Sequence, residues 1–239
     1  MFKKFIFCTF FCTFFCNFFC NFFWANQALA SEIWNSDEGL KRLEKSQFKN
    51  DFYQLANFYQ AQVNQVYCSV ASSVMVLNAL NKSNLLTQQK FLNGETDKIK
   101  SRKIIENKAQ NKNSKYDPGV SLDDLSKILS RAYHLKITSI HAEKNEKEAI
   151  DNFRQTLKKI LTDKDKFLIA NFDGKILGQE IKGHFSPLAA YDEESDSVLI
   201  LDVALHKNQW FWTSVSDLIS AMNTKDGDSY RGYLLVESH

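Results

Sequence analysis

One cysteine lies where its thiol could act as a nucleophile. The sequence has five cysteines, and Cys68 is the only one after the first 30 residues. From Val66 the apolar residues keep helical spacing through Leu80, which predicts that Cys68 lies in the first turn of a helix. Unpaired N–H groups and the helix dipole favour a thiolate there. Cys68 is therefore a candidate nucleophile, and a small buried hydrophobic residue is the alternative interpretation.

A nucleophilic thiol needs a base, and the sequence points to His184 with Asp202 as its partner. Strand-like runs flank the polar segment Asp192-Glu193-Glu194, which is typical of a hairpin turn. If the hairpin is centred on Glu193, His184 lies directly opposite Asp202 on one face of the sheet. The aspartate would then hold one imidazole nitrogen, and the other would take a proton from the thiol. Taken alone, the two residues would be a rim histidine and a strand-end carboxylate.

Gln62 is a candidate donor for an oxyanion. It lies six residues before Cys68, and its amide could bond the oxyanion of a tetrahedral intermediate together with the backbone N–H of Cys68. The alternative is an ordinary surface glutamine. The order glutamine, cysteine at a helix start, late histidine and later aspartate is that of papain-like enzymes, which combine a helical lobe with a sheet lobe.

Helices and late strands must position these residues. Residues 31–60 are predicted to be a polar packing arm with a short helix around Leu40 and Leu43. A second helix starts at its N-cap Ser121, with Asp124 three residues on, and a third spans about 146–161. Residues 81–120 are predicted to be a polar, mobile connection. Strands are predicted over 136–141, 167–172, 185–191, 198–203 and 233–236. This order predicts an α+β fold, with a helical lobe packed against an antiparallel sheet lobe.

Residues 1–30 are predicted to be a signal peptide, and residues 31–239 the catalytic domain. A basic start precedes an uncharged Phe-rich run from Phe5 to Trp24 and the small residues Ala28 and Ala30, a layout that signal peptidase recognises. An uncleaved membrane anchor is the alternative. The four leader cysteines recur every fourth position in a low-complexity repeat and receive no function. The protein is expected to be exported, to a periplasm or to the outside.

Charge is balanced after the leader. Once the two leader lysines are set aside, residues 31–239 have 28 basic and 28 acidic side chains. Such a chain has no net field to attract nucleic acid or an anionic membrane, so neither is an expected partner after signal cleavage. The histidines at positions 134, 141, 206 and 239 show no ligand spacing, and no resident metal is expected.

Three segments carry a resemblance to a known family: QVNQVYCSVASSVMVLNAL around Cys68, GHFSPLAAY from Gly183, and LILDVALHK around Asp202. Together they resemble phytochelatin synthase. NSDEGLKRLEKS, LGQEIKGHFSPLAAY, AMNT and the closing YRGYLLV are similar to the shorter bacterial members, in the same order and at compatible spacing. The resemblance spans nearly all of residues 31–239.

The resemblance implies a papain-like fold and a glutathione gamma-glutamylcysteinyltransferase-type reaction. The cysteine would attack the carbonyl between Cys and Gly of glutathione, release glycine and leave a γ-Glu-Cys thioester. Cys68, His184 and Asp202 match the family's triad, and Gln62 matches its oxyanion glutamine. Arg231 falls in a segment that implies a contact to a substrate carboxylate. The alternative for Arg231 is a solvated surface charge.

The resemblance also implies how the acyl group is passed on. It can go to water or to the amine of a second glutathione. Similarity to the short bacterial kind, without a Cys-rich C-terminal extension, implies hydrolysis as the main reaction and slow phytochelatin synthesis. No cofactor is required, and the resemblance allows stimulation by cadmium or other thiol-binding metals through metal–glutathione complexes. Glutathione is the expected partner, and a homodimer is the assembly to test.

Two departures from the family pattern lie near the predicted site. Ser69 replaces the glycine after the nucleophile, and LHKNQW at 205–210 replaces an Arg- and Pro-containing run. Both leave the triad intact, and the second bears on the acceptor amine more than on acylation. The alternative function is a papain-like cysteine peptidase on ordinary peptides, which would use the same four residues. A secreted thiol protein that only binds metal is disfavoured, because one cysteine holds a soft ion poorly.

Overall fold

The chain combines helices with one large sheet. The computed structural model describes residues 31–91, 93, 119–142 and 146–238. Its helices are α1 (Asp37–Lys45), α2 (Asn50–Ala56), α3 (Cys68–Leu80), α4 (Leu122–Ala132), α5 (Glu146–Ile160) and α6 (Val215–Met222). Its strands are β1 (Glu32–Ile33), β2 (Lys136–His141), β3 (Lys166–Asp173), β4 (Gly183–Asp192), β5 (Ser197–Ile200), β6 (Phe211–Ser214), β7 (Lys225–Asp226), β8 (Ser229–Tyr230) and β9 (Gly232–Glu237).

Seven strands form one antiparallel sheet in the order β1-β6-β5-β4-β3-β9-β2, and β7 pairs separately with β8. Helices α3 and α4 pack on one face of the sheet, and α5 and α6 pack on the other. Because both faces are covered, β3 and β4 are almost continuously buried instead of alternating between buried and exposed positions. The architecture confirms the predicted α+β class, and the helices are divided between the two faces.

Several helix boundaries follow the sequence signals. The Ser121 hydroxyl accepts from the Asp124 N–H, and the Asp124 carboxylate accepts from the Ser121 N–H, which is a reciprocal capping box. Helix α5 covers the range predicted for the third helix, and it buries Phe153 and Leu157. Helix α3 begins at Cys68 as predicted. It is buried along almost its whole length, so it is the central helix of its face.

The β4–β5 hairpin differs from the predicted register. Asp192 pairs with Ser197 around a four-residue turn, in which Asp196 adopts a left-handed conformation (φ 47°). Aspartate tolerates this conformation better than most residues. The register shifts once more within β4, so that Leu188 pairs with Ile200. The prediction that His184 lies directly opposite Asp202 in the ladder is therefore wrong.

Pro187 explains why β5 ends at Ile200 instead of continuing to residue 203 as predicted. The Leu201 N–H donates to the Pro187 carbonyl at 3.0 Å. Every second facing pair in an antiparallel ladder exchanges two hydrogen bonds, and at such a pair proline has no N–H to return. The ladder stops there, and the chain leaves the sheet at Asp202.

Some elements lie where the sequence analysis predicts none. Helix α2 lies within the predicted packing arm, and β1, β6 and α6 are also additional. Strands β1 and β6 have two and four residues, which is too short for a clear periodicity. The leader and most of the predicted connection over 81–120 lie outside the described residues. Among the helices that are described, none is long and apolar enough to cross a membrane.

Asp51, in α2, is a fully buried acid, and neither of its carboxylate oxygens has a hydrogen-bond partner among the described residues. Burial and, to a smaller extent, Asp163 raise its pKa from 3.8 to about 9. Between these values the native state keeps a proton that the unfolded chain releases, so the free energy of unfolding falls as pH rises. We expect Asp51→Asn to remove this dependence. Its free energy of unfolding should therefore rise relative to that of wild type by about 1.4 kcal/mol for each pH unit.

Urea unfolding from pH 5 to pH 8 would measure this difference. Asp165→Asn is the matched control, because Asp165 is an exposed acid near Asp163. A difference between wild type and Asp51→Asn that stays constant with pH would contradict the prediction.

Candidate active site

Cys68 is the first residue of α3 and lies at a helix N-terminus without a side-chain cap. Tyr67 is the N-cap residue but does not cap the helix with its side chain, and the first turn has no acidic residue. By contrast, Ser36, Ser121 and Ser214 cap α1, α4 and α6 with their hydroxyls. The first N–H groups of α3 can therefore stabilise a thiolate or an oxyanion. Cys68 is partly exposed, so a substrate can reach it.

A buried hydrogen bond docks α3 onto the strand that carries His184. Ser72 lies one turn after Cys68, and its hydroxyl donates to the Phe185 carbonyl at 3.1 Å. Phe185 follows His184 in β4. The helix start is thereby held beside the histidine, and Cys68 is close enough to His184 to raise the pKa of the ring.

The imidazole of His184 joins Cys68 to Asp202. Its Nε2 donates to Asp202 Oδ1 at 2.8 Å, and both side chains are buried. Ser186 Oγ lies 3.2 Å from the same nitrogen and accepts from the Val203 N–H at 3.4 Å. Because Nε2 is engaged, Nδ1 is the nitrogen available to Cys68. The structure thus brings the three predicted residues together, although His184 and Asp202 are not cross-strand partners.

The charge of His184 follows from its neighbours. Burial is the largest effect and lowers its pKa, but Asp202 and, to a smaller extent, Cys68 raise it, to a net pKa of about 10. The Asp202 carboxylate therefore favours the imidazolium form of the ring. An imidazolium next to a cysteine at a helix N-terminus favours an ion pair in which the sulfur is the nucleophile and the ring is the general acid.

Asp202 is held by donors on each oxygen. Its Oδ1 also accepts from the Ala204 N–H at 2.7 Å, and its Oδ2 accepts from the Asn208 amide at 3.1 Å. Its backbone carbonyl accepts from the Tyr59 hydroxyl at 2.9 Å, and the Tyr59 ring packs edge-on against Trp210. A buried carboxylate needs such donors, because an unpaired buried charge is costly.

Several of these supporting residues are missed by the sequence analysis. Ser186 could have been found, because it lies two residues after His184 in a strand and therefore on the same face. Ser72 could also have been found, because it lies one helical turn after Cys68. No periodicity connects Tyr59 or Asn208 with Asp202, so the sequence gives no signal for them.

Gln62 lies beside the segment that follows Asp202. Its backbone N–H donates to the Val203 carbonyl at 2.8 Å. Its side-chain amide donates one hydrogen bond to the Asn64 carbonyl at 2.8 Å, and its Oε1 is buried without a partner in the described part of the chain. An amide group has two N–H donors, so one further donor remains. The predicted oxyanion contact stays a prediction.

Arg231 is buried, with 2% of its surface exposed. Its guanidinium donates to Thr224 Oγ1 at 3.1 Å and to the Lys225 carbonyl at 2.8 Å, which ties the segment after α6 to the start of β9. The alternative of a solvated surface charge is therefore wrong. The predicted contact to a substrate carboxylate stays a prediction.

In the part of the chain that the structure describes, no group of three or more His, Cys, Asp or Glu side chains is placed to hold a metal ion. The ring nitrogens of His141 contact the Asp123 carboxylate and the Tyr230 carbonyl instead. His239 lies outside the described residues.

Comparison with known proteins gives one consistent family. The profile of the phytochelatin synthase family matches residues 26–233. The chain is 30% identical over 202 residues to glutathione gamma-glutamylcysteinyltransferase 1 of Lotus japonicus, covering 77% of the chain and 35% of that relative. It is 28% identical over 191 residues to glutathione gamma-glutamylcysteinyltransferase 2 of Arabidopsis thaliana, covering 77% and 39%.

A fungal relative is similar to the same extent. The chain is 26% identical over 210 residues to the glutathione gamma-glutamylcysteinyltransferase of Schizosaccharomyces pombe, covering 84% of the chain and 46% of that relative. The chain therefore spans less than half the length of these three proteins.

Proposed function

The chain belongs to the phytochelatin synthase family, and we therefore propose that it cleaves the Cys–Gly bond of glutathione through a γ-Glu-Cys thioester on Cys68. The acyl group passes mainly to water, giving γ-Glu-Cys and glycine, and otherwise to the amine of a second glutathione, giving a phytochelatin. One observation carries the proposal. A buried, hydrogen-bonded His184–Asp202 pair lies beside a cysteine at an uncapped helix N-terminus.

Acylation needs a nucleophile, a site for the oxyanion and an acid for the leaving group. Cys68 Sγ attacks the amide carbonyl between Cys and Gly, and the carbonyl electrons move onto the oxygen. The N–H groups at the start of α3 and the Gln62 amide stabilise this oxyanion. As it collapses, the C–N bond breaks, His184 gives its proton to the glycine nitrogen, and glycine leaves. Asp202 orients the ring and stabilises its charge.

Deacylation reverses the proton transfers. His184 is now neutral and accepts a proton from the incoming water or amine as that nucleophile attacks the thioester carbonyl. The bond between the carbonyl carbon and Cys68 Sγ then breaks, which restores the thiolate beside the imidazolium. The same residues serve both acceptors, so access of water and of a second glutathione to the thioester decides the product ratio.

Gln62 should lower the barrier to acylation through its amide. We expect Gln62→Ala to reduce kcat for glycine release by about 100-fold, because one oxyanion donor is removed. The variant should fold, since the bond from residue 62 to the Val203 carbonyl uses the backbone N–H. Gln65→Ala, at an exposed glutamine of the same lead-in, is the matched control. A kcat equal to wild type in folded Gln62→Ala would remove Gln62 from the mechanism.

Further expectations accompany this proposal. The α+β architecture supports a papain-like fold, and the Phe-rich leader supports export of residues 31–239 to a periplasm or to the outside. No cofactor is required by the chemistry above. Cadmium and other thiol-binding metals would enter as metal–glutathione complexes, that is, as substrate. A homodimer is the assembly to test.

Product analysis with the purified chain tests the proposed function. Glutathione is incubated with the protein, with and without cadmium, and glycine, γ-Glu-Cys and longer peptides are followed by mass spectrometry. Casein is offered in parallel. We expect glycine and γ-Glu-Cys from glutathione and no cleavage of casein. Cleavage of casein without glycine release from glutathione would instead establish a papain-like peptidase that acts on ordinary peptides.

A further inference from the structure

Asn208 contacts the aspartate of the triad on the side away from the histidine. Its amide donates to Asp202 Oδ2 at 3.1 Å, while Asp202 Oδ1 accepts from His184 at 2.8 Å. We propose that Asn208 is a positioning residue, which orients the Asp202 carboxylate so that Oδ1 faces the imidazole. The proposal rests on the function proposed above only in that Asp202 orients His184.

The two oxygens of Asp202 are supported unequally. Oδ1 accepts two hydrogen bonds, from His184 and from the Ala204 N–H at 2.7 Å. Within the described residues, Oδ2 accepts from Asn208 only. A terminal carboxylate torsion has a broad energy well, so donors on both oxygens are needed to hold one orientation. Loss of Asn208 removes the bond on one side and leaves the carboxylate held through Oδ1 alone.

The turn that carries Asn208 is built on the same aspartate. The N–H groups of Lys207 and Asn208 donate to the Ala204 carbonyl at 2.7 and 3.0 Å, and the Ala204 N–H donates to Asp202 Oδ1. These bonds fix the Asn208 backbone a few ångströms from the carboxylate that its side chain contacts. The amide is therefore placed by the backbone before it makes the contact.

Asn208 also separates Asp202 from an open cavity. Asp202 is fully buried, whereas Asn208 is half-buried and lines a cavity of about 460 Å³ together with Lys207, Gln209 and Trp210. A shorter side chain at this position would let water reach Oδ2. Water competes for the carboxylate and weakens its hold on the imidazolium. Position 208 lies in the stretch 205–210, which departs from the family pattern, so the resemblance assigns it no role.

Two variants separate this contact from a general effect on the turn. Asn208→Leu removes the donor at every pH, and we expect kcat for glycine release to fall by about 10-fold with KM for glutathione unchanged. Asn208→Asp is isosteric. While the new carboxyl at position 208 is protonated, it donates to Asp202 as the amide does. Once this carboxyl ionises, it and the Asp202 carboxylate repel each other.

The ratio of kcat in each variant to kcat in wild type is measured from pH 5.5 to pH 8.5 with the full chain. We expect a ratio that falls with pH for Asn208→Asp and a low, constant ratio for Asn208→Leu. Gln209→Asp adds the same charge to the same turn and should keep a constant ratio near one. The proposal is overturned by wild-type kcat in folded Asn208→Leu, by a constant ratio in Asn208→Asp, or by the same fall in Gln209→Asp.

Alkylation of Cys68 by iodoacetamide makes the test independent of glutathione. Its rate reports the thiolate–imidazolium pair. Relative to wild type, we expect the rate to be low in Asn208→Leu, to fall with pH in Asn208→Asp and to stay near one in Gln209→Asp. If wild type releases no glycine but the alkylation rates keep this pattern, the proposed function fails and the positioning role of Asn208 stands. Equal alkylation rates in all variants overturn the positioning role. Asn208→Asp preserves side-chain size, so the pH test stands even where Asn208→Leu does not fold.

Discussion

Glycine release from glutathione should fall to the background rate when Cys68 is replaced by alanine. The thioester mechanism has no substitute for the sulfur, so we expect a loss of about 10⁵-fold or more in kcat. Intact-protein mass spectrometry should detect the γ-Glu-Cys adduct on wild type and none on Cys68→Ala. Both measurements use the same incubation with glutathione.

Ser73→Ala is a matched control for this variant. Ser73 lies in α3 and is buried, and its hydroxyl donates within the helix, to the Ser69 carbonyl. It should retain activity, which would separate loss of the thiol from disturbance of the central helix. Glycine release that persists in folded Cys68→Ala would exclude a covalent intermediate on this residue.

Replacement of Asp202 by asparagine should cost about 10⁴-fold in kcat. The variant is nearly isosteric, but the amide cannot stabilise the imidazolium, and its N–H₂ can force the ring into the wrong tautomer. Thermal unfolding would verify that the hydrogen bonds from Ala204 and Tyr59 still hold the segment. Asp192→Asn is the matched control, because Asp192 is a buried carboxylate of the same hairpin that bonds Ser195.

The same substitution should change the pH profile. Asp202 and Cys68 raise the pKa of His184 from 6.5 to about 10, so in wild type the general acid is present below about pH 10 and is lost above it. Without the carboxylate the imidazolium loses its main stabilising charge. The alkaline limb of kcat/KM should therefore move to lower pH in Asp202→Asn. An alkaline limb at the same pH in both proteins would show that His184 is not the acid.

Local signals predicted the position of Cys68 at a helix start well. The helical spacing that starts at Val66 fixes Cys68 in a first turn, and the structure starts α3 at that residue. The start of α6 also has a local signal, because the Ser214 hydroxyl accepts from the Asp217 N–H three residues later. Helix α2 has no such signal, because Lys49 gives no side-chain cap.

Non-local geometry was predicted less well. The sequence led to His184 and Asp202 as a pair, but through a register that the longer turn around Asp196 rules out. Their approach depends on where the ladder ends, and that point depends on Pro187, a residue of the facing strand. The contact between Asn208 and Asp202 depends on a turn without periodicity. Such contacts follow from packing, which a linear pattern does not encode.

Pro187 also has a consequence for how the chain can vary in evolution. Because Pro187 has no N–H, the point where β5 leaves the sheet depends on this residue and not on the length of the hairpin turn. Insertions or deletions in the 193–196 turn leave Asp202 in place, provided that Ile200 still pairs with Leu188. This turn can therefore change length, whereas a residue with an N–H at position 187 would extend strand pairing into the catalytic segment.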